Sequence, residues 1–166
     1  MKTVCAFTGH RPQTLPFHNN EMDPRCKRLK ILLRNLIEKQ IYDGVTHFIS
    51  GMALGIDTYA AEIVLDLKQK YPEITLEVAL PCETQARYWN EEDRDRYFSI
   101  IERCDKETLL QKHYTSDCLF RRNRYMVDNA DVLIAVWNGR PSGTGKTVMY
   151  AKERGREVYI IDPKML

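Results

Sequence analysis

Short apolar runs, several of them followed by glycine or proline, alternate along the chain with longer segments in which apolar residues recur every three or four positions. The runs are typical of buried strands, and the longer segments are typical of helices with one apolar face. We expect strands at about residues 3–8, 45–50, 74–80, 108–111, 131–137 and 157–161. We expect helices at about residues 24–43, 56–70, 84–103, 114–129 and 147–154.

The strands are apolar along their length rather than at every second residue, and helical segments separate them. This pattern indicates a parallel sheet whose two faces are both covered by helices. The sequence therefore predicts an α/β fold, a Rossmann-like three-layer sandwich with a mostly parallel central sheet and helices on both faces. No linker divides residues 1–166, so we expect a single domain. Ligands of such folds lie beyond the carboxyl ends of the strands, where the strand order reverses.

Composition narrows the class of protein. Lys and Arg (25) nearly balance Asp and Glu (23), and a net charge of +2 alone does not indicate a nucleic-acid or membrane-surface binder. No apolar run approaches the roughly 18 residues of a membrane helix, and the first residues read as a strand rather than a signal peptide. We expect a cytoplasmic protein with no membrane partner.

The cysteines and histidines do not form a recognisable metal-binding or disulfide pattern. The five cysteines are odd in number, widely spaced and without a Cys-x-x-Cys pair, which favours reduced thiols. No two of the four histidines have the i, i+4 spacing of a helical metal pair. We expect no metal, and the sequence identifies no cofactor.

Three glycine-containing loops follow predicted strands and could receive a phosphate. Glycine allows close approach of the backbone, and the first turn of a helix leaves N–H groups unpaired. Loop geometry alone also produces such glycines, so the support comes from three loops at one sheet edge. The predicted binding residues are Thr8, Gly9, His10 and Arg11 in the first loop, Ser50, Gly51, Met52, Gly55 and Asp57 in the second, and Gly143, Thr144, Gly145, Lys146 and Thr147 in the third.

The third loop contains Ser-Gly-Thr-Gly-Lys-Thr but does not match a P-loop. The Walker pattern requires glycine where this chain has Arg140, and only 19 residues follow Thr147, too few for a later magnesium-binding strand. We reject a P-loop NTPase and keep phosphate binding by the backbone. Lys146 could pair with a phosphate or be solvated.

Charged residues near these loops each have two interpretations. Asp57 could accept hydrogen bonds from ribose hydroxyls, or could only complement the dipole of the helix that it begins. His10 and Arg11 could bind an anion or transfer a proton, and we favour binding. Arg122 and Asn123 lie in the densest basic cluster, with Arg121 and Arg124. That cluster indicates a phosphate or nucleic-acid partner, or a solvated helix face.

The motifs together resemble the SLOG superfamily of Rossmann-like proteins, most closely its YpsA-like branch. The matching segments are TGHRP, ISGMALGIDTYAAEIVLDLK, LPCETQARYW, RRNRYMVDNADVLIAVW, SGTGKTVMYA and IIDP, which cover nearly the whole chain in order. SGMALGID and RNR are also similar to motifs of the DNA-processing protein DprA. The resemblance implies a nucleotide-derivative pocket carried by Gly51, Gly55 and Asp57 in one loop and by Gly143, Thr144 and Gly145 in the other, with Thr8, Gly9 and His10 as its floor.

Two departures from the superfamily pattern affect the ligand and the chemistry. Relatives usually have Gly-Gly-Thr where this chain has Ser142-Gly143-Thr144, and Lys146 replaces a usually uncharged residue. The LOG-type phosphoribohydrolases use a glutamate that aligns here with Met149, and Glu153 lies a full turn further on. An apolar side chain cannot stabilise the cleavage, which argues against that activity, although Asp57 could substitute.

The sequence therefore supports three hypotheses. The first is binding or sensing of a nucleotide or nucleotide-derived, ADP-ribose-like ligand in a pocket of glycine-rich loops. The second is a nucleotide-processing hydrolase with LOG-like N-glycosidic cleavage, and whether the chain is an enzyme stays open. The third is DprA-like binding of single-stranded nucleic acid, which the near-neutral charge makes less favoured. The expected partner is a nucleotide-like small molecule, and a homo-oligomer is compatible with the sequence.

Overall fold

The computed structural model describes all 166 residues and contains six strands and five helices. The strands are β1 (Val4–Gly9), β2 (His47–Ser50), β3 (Thr75–Leu80), β4 (Lys106–Leu109), β5 (Val132–Val136) and β6 (Glu157–Ile161). The helices are α1 (Pro24–Tyr42), α2 (Ile56–Leu67), α3 (Glu91–Arg103), α4 (Cys118–Asp128) and α5 (Gly143–Glu153). Short 3-10 turns cover Pro12–Thr14 and Pro163–Met165.

The six strands form one sheet in the order β4-β3-β2-β1-β5-β6, and every neighbouring pair is parallel. Helices α1, α2 and α3 cover one face, and α4 and α5 cover the other. The predicted three-layer Rossmann-like α/β fold is confirmed. The sheet is entirely parallel, where the sequence indicated a mostly parallel one. None of the helices is both long and apolar enough to cross a membrane.

The two faces of the sheet carry cores of different size. The core under α1, α2 and α3 contains 28 buried residues, including the stacked rings of Phe7 and Phe48. The core under α4 and α5 contains 10, and the strands contribute alanines such as Ala6, Ala79 and Ala135 to it. Small side chains on the second face let α4 and α5 pack close to the strands.

Helix boundaries differ from the sequence expectations where a side chain caps the first turn. Helix α3 begins at Glu91 rather than near residue 84, because the Asn90 side chain accepts the N–H of Asp93 at 2.8 Å. Helix α5 begins at Gly143 rather than at Thr147, because Ser142 Oγ accepts the N–H of Gly145 at 3.0 Å. Helix α4 is shorter than expected, since residues 114–115 have no regular secondary structure and residues 116–117 form a turn.

A buried carboxylate, Glu77 on β3, lies beneath α4. It hydrogen-bonds to Nε2 of His47 at 2.8 Å, the hydroxyl of Thr108 at 2.8 Å and the hydroxyl of Tyr125 at 2.6 Å. Burial acts to raise the pKa of Glu77, but these hydrogen bonds and the charge of Lys106 bring it down to about 2. The network therefore joins three strands and a helix through one ionised group.

We predict that Glu77→Gln lowers the free energy of unfolding at pH 7 by up to about 3 kcal/mol, from a pKa difference of about 2.5 between the folded and unfolded states. The folded pKa is the lower one, so this contribution is present above about pH 4.5 and is lost as the pH falls towards about 2. Urea denaturation at pH 7 and pH 2.5 should show a large difference between variant and parent only at pH 7. The matched control is Glu107→Gln, exposed on the neighbouring strand. An equal difference at both pH values would contradict the prediction.

Candidate functional site

The strand order reverses at β1, which pairs with β2 on one side and with β5 on the other. The chain leaves β2 towards α2 on one face and leaves β5 towards α5 on the opposite face. The loops after β1, β2 and β5 therefore separate at the carboxyl edge of the sheet, and a crevice opens between them. The second and third glycine loops thus lie at the same edge.

A cleft of about 370 Å³ occupies this crevice. Ten of the sixteen residues predicted to bind a ligand line it, and they come from all three loops and from α4. They are Thr8, Gly9, His10, Arg11, Asp57, Arg122, Asn123, Gly143, Thr144 and Lys146. The structure thus brings together residues that are more than 130 positions apart in the chain, as Gly9 and Thr144 are.

The other six predicted residues do not line the cleft: Ser50, Gly51, Met52, Gly55, Gly145 and Thr147. They shape the loops instead. Ser50 Oγ donates to the carbonyl of Asp57 at 2.8 Å and accepts the N–H of Met52 at 3.2 Å. The Met52 side chain is buried in the core, with the backbone in the left-handed region at φ +59°. Thr147 Oγ1 accepts from Nδ2 of Asn123 at 3.0 Å, which connects α5 to α4.

Arg122 is buried against the loop after β2, with 3% of its surface exposed. Its Nη1 donates to the carbonyl of Gly51 and, at 3.3 Å, to Oε1 of Gln85, and its Nε donates to Oδ1 of Asn123 at 2.8 Å. A Cβ on Gly51 would lie 2.7 Å from Cζ of Arg122. Glycine at position 51 is therefore required for this contact.

No carboxylate lies within 4.0 Å of the Arg122 guanidinium, so the buried cation has no ion-pair partner. Its Nη2 donates to no atom of the protein. Burial lowers the pKa of Arg122 and the charge of Asp57 acts to raise it, although a guanidinium stays protonated in either case. A buried charge with no ion-pair partner is unfavourable, which favours an anion on this side of the cleft.

Asp57 is the one carboxylate that lines the cleft. Its Oδ2 accepts the N–H of Ala53 at 3.2 Å, while Oδ1 accepts no hydrogen bond from the protein. Burial raises the pKa of Asp57, and the charges of Arg122 and Arg11 act in the opposite direction. The carboxylate therefore offers a free acceptor atom close to a basic wall.

The first turn of α5 contributes unpaired donors to the cleft. Ser142 Oγ accepts the N–H of Gly145 at 3.0 Å, and the Ser142 carbonyl accepts the N–H of Lys146 at 2.9 Å. The N–H groups of Gly143 and Thr144 donate to no atom of the protein. They carry the positive end of the helix dipole towards the same cleft that Arg122 lines.

His10 ties the loop after β1 to the loop after β5. Its Nε2 accepts the N–H of Asn138 at 3.0 Å, and its backbone N–H donates to the carbonyl of Val136 at 3.3 Å. Burial lowers the pKa of His10, which favours the neutral ring. The bond to Asn138 leaves the ring proton on Nδ1, where it can be donated to a ligand.

The basic cluster on α4 divides between the interior and the surface. Arg122 is buried, whereas Arg121 and Arg124 are exposed, because neighbouring positions of a helix point in different directions.

Seven residues that line the cleft were not predicted from the sequence: Gln13, Thr14, Ala53, Ser116, Leu119, Phe120 and Ser142. Ser142 has a sequence signal, since serine before a glycine-rich helix start is a common cap.

Met149, which aligns with the catalytic glutamate of LOG-type enzymes, does not line the cleft. Met149 and Glu153 line a neighbouring groove beside α5. No three His, Cys, Asp or Glu side chains are grouped so that they could hold a metal ion.

Comparison with known proteins identifies the family. A model of the YpsA family, described as the YspA SLOG family, matches residues 5–165. The chain belongs to this family. UPF0398 proteins of Bacillus thuringiensis (strain Al Hakam) and Bacillus cereus (strain AH187) are each 28% identical over 157 residues, covering 93% of this chain and 85% of each relative. The resemblance to the YpsA-like branch of the SLOG superfamily is thereby confirmed.

Solved structures of DNA processing protein A (DprA) have the same fold. The Helicobacter pylori protein matches with a TM-score of 0.64 and 18% identity, over 97% of this chain and 66% of that chain. The Streptococcus pneumoniae protein matches with a TM-score of 0.62 and 17% identity, over 98% of this chain and 50% of that chain. The chain thus spans just under two thirds of one DprA and half of the other.

We predict that Gly55→Ala is more destabilising than Gly139→Ala. Both glycines have positive φ, +88° and +85°, so either substitution strains the backbone by about 1–2 kcal/mol. A Cβ at position 55 would also lie 2.9 Å from the carbonyl oxygen of His10, whereas nothing lies within 4 Å at position 139. The total cost at Gly55 should reach roughly 3 kcal/mol. Urea denaturation measures the free energy of unfolding of both variants. An equal loss of stability in the two variants would contradict the predicted clash at Gly55.

Proposed function

We propose that the cleft binds the phosphate group of a nucleotide or nucleotide-derived, ADP-ribose-like ligand. The observation that carries this proposal is the buried Arg122 guanidinium, which has no carboxylate within 4.0 Å and an Nη2 that donates to nothing in the protein. The free N–H groups of Gly143 and Thr144 line the same cleft.

A phosphate satisfies these groups together because it supplies both negative charge and several acceptor oxygens. Charge-assisted bonds from a guanidinium and from backbone N–H groups at a helix start are among the strongest available to a protein. A neutral ligand would leave the buried charge without an ion-pair partner. Lys146 and Arg11, exposed at the rim, add positive charge where an anion would enter.

The remaining polar groups suit the sugar of a nucleotide. Oδ1 of Asp57 is a free acceptor, and ribose hydroxyls are donors of the kind that an acidic residue binds in other Rossmann folds. The cleft volume of about 370 Å³ falls in the range of small-ligand sites, roughly 300–1,000 Å³. We therefore favour binding or sensing, with Arg122 on the phosphate and Asp57 on the sugar.

We predict that Arg122→Gln abolishes most of the affinity for a phosphate-bearing probe. Thermal unfolding with ADP, ADP-ribose and inorganic phosphate should show stabilisation of the parent, about 2.7 kcal/mol at 100 times the dissociation constant. Loss of a buried charge contact should weaken binding by about 2 kcal/mol or more. The matched control is Arg121→Gln, an exposed neighbour on the same helix, which should bind as the parent does. The proposal fails if no probe stabilises the parent, or if a folded Arg122→Gln variant binds normally.

We predict that Asp57→Asn separates phosphate contacts from sugar contacts. Removing the carboxylate charge should tighten the binding of inorganic phosphate several-fold, because the buried cation no longer has a competing anion nearby. ADP-ribose should not tighten, because the amide replaces one acceptor of its sugar hydroxyls. Isothermal titration calorimetry measures both affinities. Equal tightening for the two probes would place the sugar elsewhere.

Binding of single-stranded nucleic acid is the second candidate function. The DprA of Helicobacter pylori, which has the same fold, binds single-stranded DNA. In this chain the exposed Arg121 and Arg124 lie on either side of Arg122 along α4 and would extend a phosphate site into a basic surface. A mobility-shift experiment with an oligonucleotide should then show affinity that falls steeply with salt, and that weakens in the Arg121→Gln variant.

A further inference from the structure

Two aromatic pockets adjoin the cleft on its opposite sides. The first, which we call the Trp89 pocket, has a volume of about 440 Å³ and is lined by residues that include Pro81, Arg87, Tyr88, Trp89 and Tyr114. The second, the Trp137 pocket, has a volume of about 580 Å³ and is lined by residues that include Phe120, Arg124, Trp137, Met149 and Tyr150.

Shared lining residues show that the cleft lies between the two pockets. Arg11, Ala53 and Leu119 line both the cleft and the Trp89 pocket. Phe120, Ser142 and Lys146 line both the cleft and the Trp137 pocket. The two pockets share no lining residue with each other. Leu119 and Phe120, consecutive on α4, therefore mark the two junctions.

Two rings of the Trp89 pocket are exposed to solvent, and one ring of the Trp137 pocket has a basic group beside it. Tyr88 is 88% exposed and Tyr114 is 64% exposed, although large apolar rings are usually at least partly covered. In the Trp137 pocket, the guanidinium of Arg124 lies 5.8 Å from the centre of the Phe120 ring. Aromatic rings with basic groups beside them are the surfaces on which nucleic-acid bases stack.

We propose that the site takes a ligand with two planar bases joined through phosphate, one base in each aromatic pocket and the phosphate in the cleft. This rests on the proposed function, since the phosphate contacts Arg122. Each of the three cavities has the volume of a small-ligand site by itself, so a mononucleotide would leave one pocket empty. A free dinucleotide and a single strand of nucleic acid share this chemistry.

The two tryptophans of the chain allow each pocket to be observed separately, because each pocket holds one of them. Trp137→Phe leaves Trp89 as the reporter, and Trp89→Phe leaves Trp137. A dinucleotide such as NAD⁺ should quench the fluorescence of both reporters, AMP should quench one, and inorganic phosphate should quench neither. If a dinucleotide that binds quenches only one reporter or none, the inference is wrong.

Affinity measurements test the contribution of each ring. Tyr88→Ala and Tyr150→Ala should each weaken dinucleotide binding by about 5- to 150-fold, the equivalent of losing one stacked base. Neither side chain lines the cleft, so both variants should bind inorganic phosphate as the parent does. The matched control is Tyr42→Ala, which removes an exposed tyrosine remote from the three cavities. Normal dinucleotide affinity in both pocket variants would overturn the inference.

The source of the ligand is distinguished by chain length and salt. A single strand should bind more tightly as an oligo(dT) probe is lengthened from 2 to 15 nucleotides, and its affinity should fall steeply as salt rises. If the ligand is a free dinucleotide, its affinity should equal or exceed that of the longest oligonucleotide. Arg122-dependent phosphate binding without any effect of the ring variants would leave the proposed function standing and reject the two-base ligand. The absence of binding by every probe would reject both.

Discussion

The packing of the Arg122 guanidinium on the backbone of Gly51 determines the shape of the candidate site. It joins α4, from the second half of the chain, to the loop after β2, from the first half. The next residue on α4, Asn123, reaches Thr147 on α5 at 3.0 Å. Two consecutive residues of one helix therefore hold the two sides of the cleft, and the position of α4 sets the distance between them.

The same contact explains why a buried positive charge persists in this fold. Its hydrogen bonds go to a carbonyl and to amide side chains, which orient the guanidinium without neutralising it. Asp57 lies close enough to influence the charge but not to pair with it. A preformed cation of this kind needs little reorganisation when an anion arrives, which lowers the entropic cost of binding.

Much of the fold could be predicted from the sequence because the buried strands are apolar. The last strand lies at residues 157–161, as its β-branched and aromatic run indicated, and β5 coincides with the DVLIAVW segment to within one residue at each end. The starts of α3 and α5 were misplaced, since each depends on a single capping side chain, Asn90 or Ser142. The strand order could not be predicted, because nothing in the sequence of a strand identifies the strands beside it.

The position of the site was predicted from its glycine loops, but the arginine that points into it was not. The sequence placed Arg122 in a basic cluster, and the choice of which arginine points inward depends on where α4 begins and on the room left by Gly51. Leu119 and Phe120 carried no signal, since apolar residues on a helix ordinarily indicate core. The cytoplasmic location, the single domain and the homo-oligomer stay predictions from the sequence.

The unequal cores give the two helical layers different mechanical roles. The layer of α1, α2 and α3 packs on a core of 28 buried residues. The layer of α4 and α5 packs on a core of 10, so we expect local unfolding to cost less free energy there. A ligand bound to Arg122 and to the first turn of α5 would contact both helices of that layer. Binding would therefore protect α4 and α5 against local unfolding.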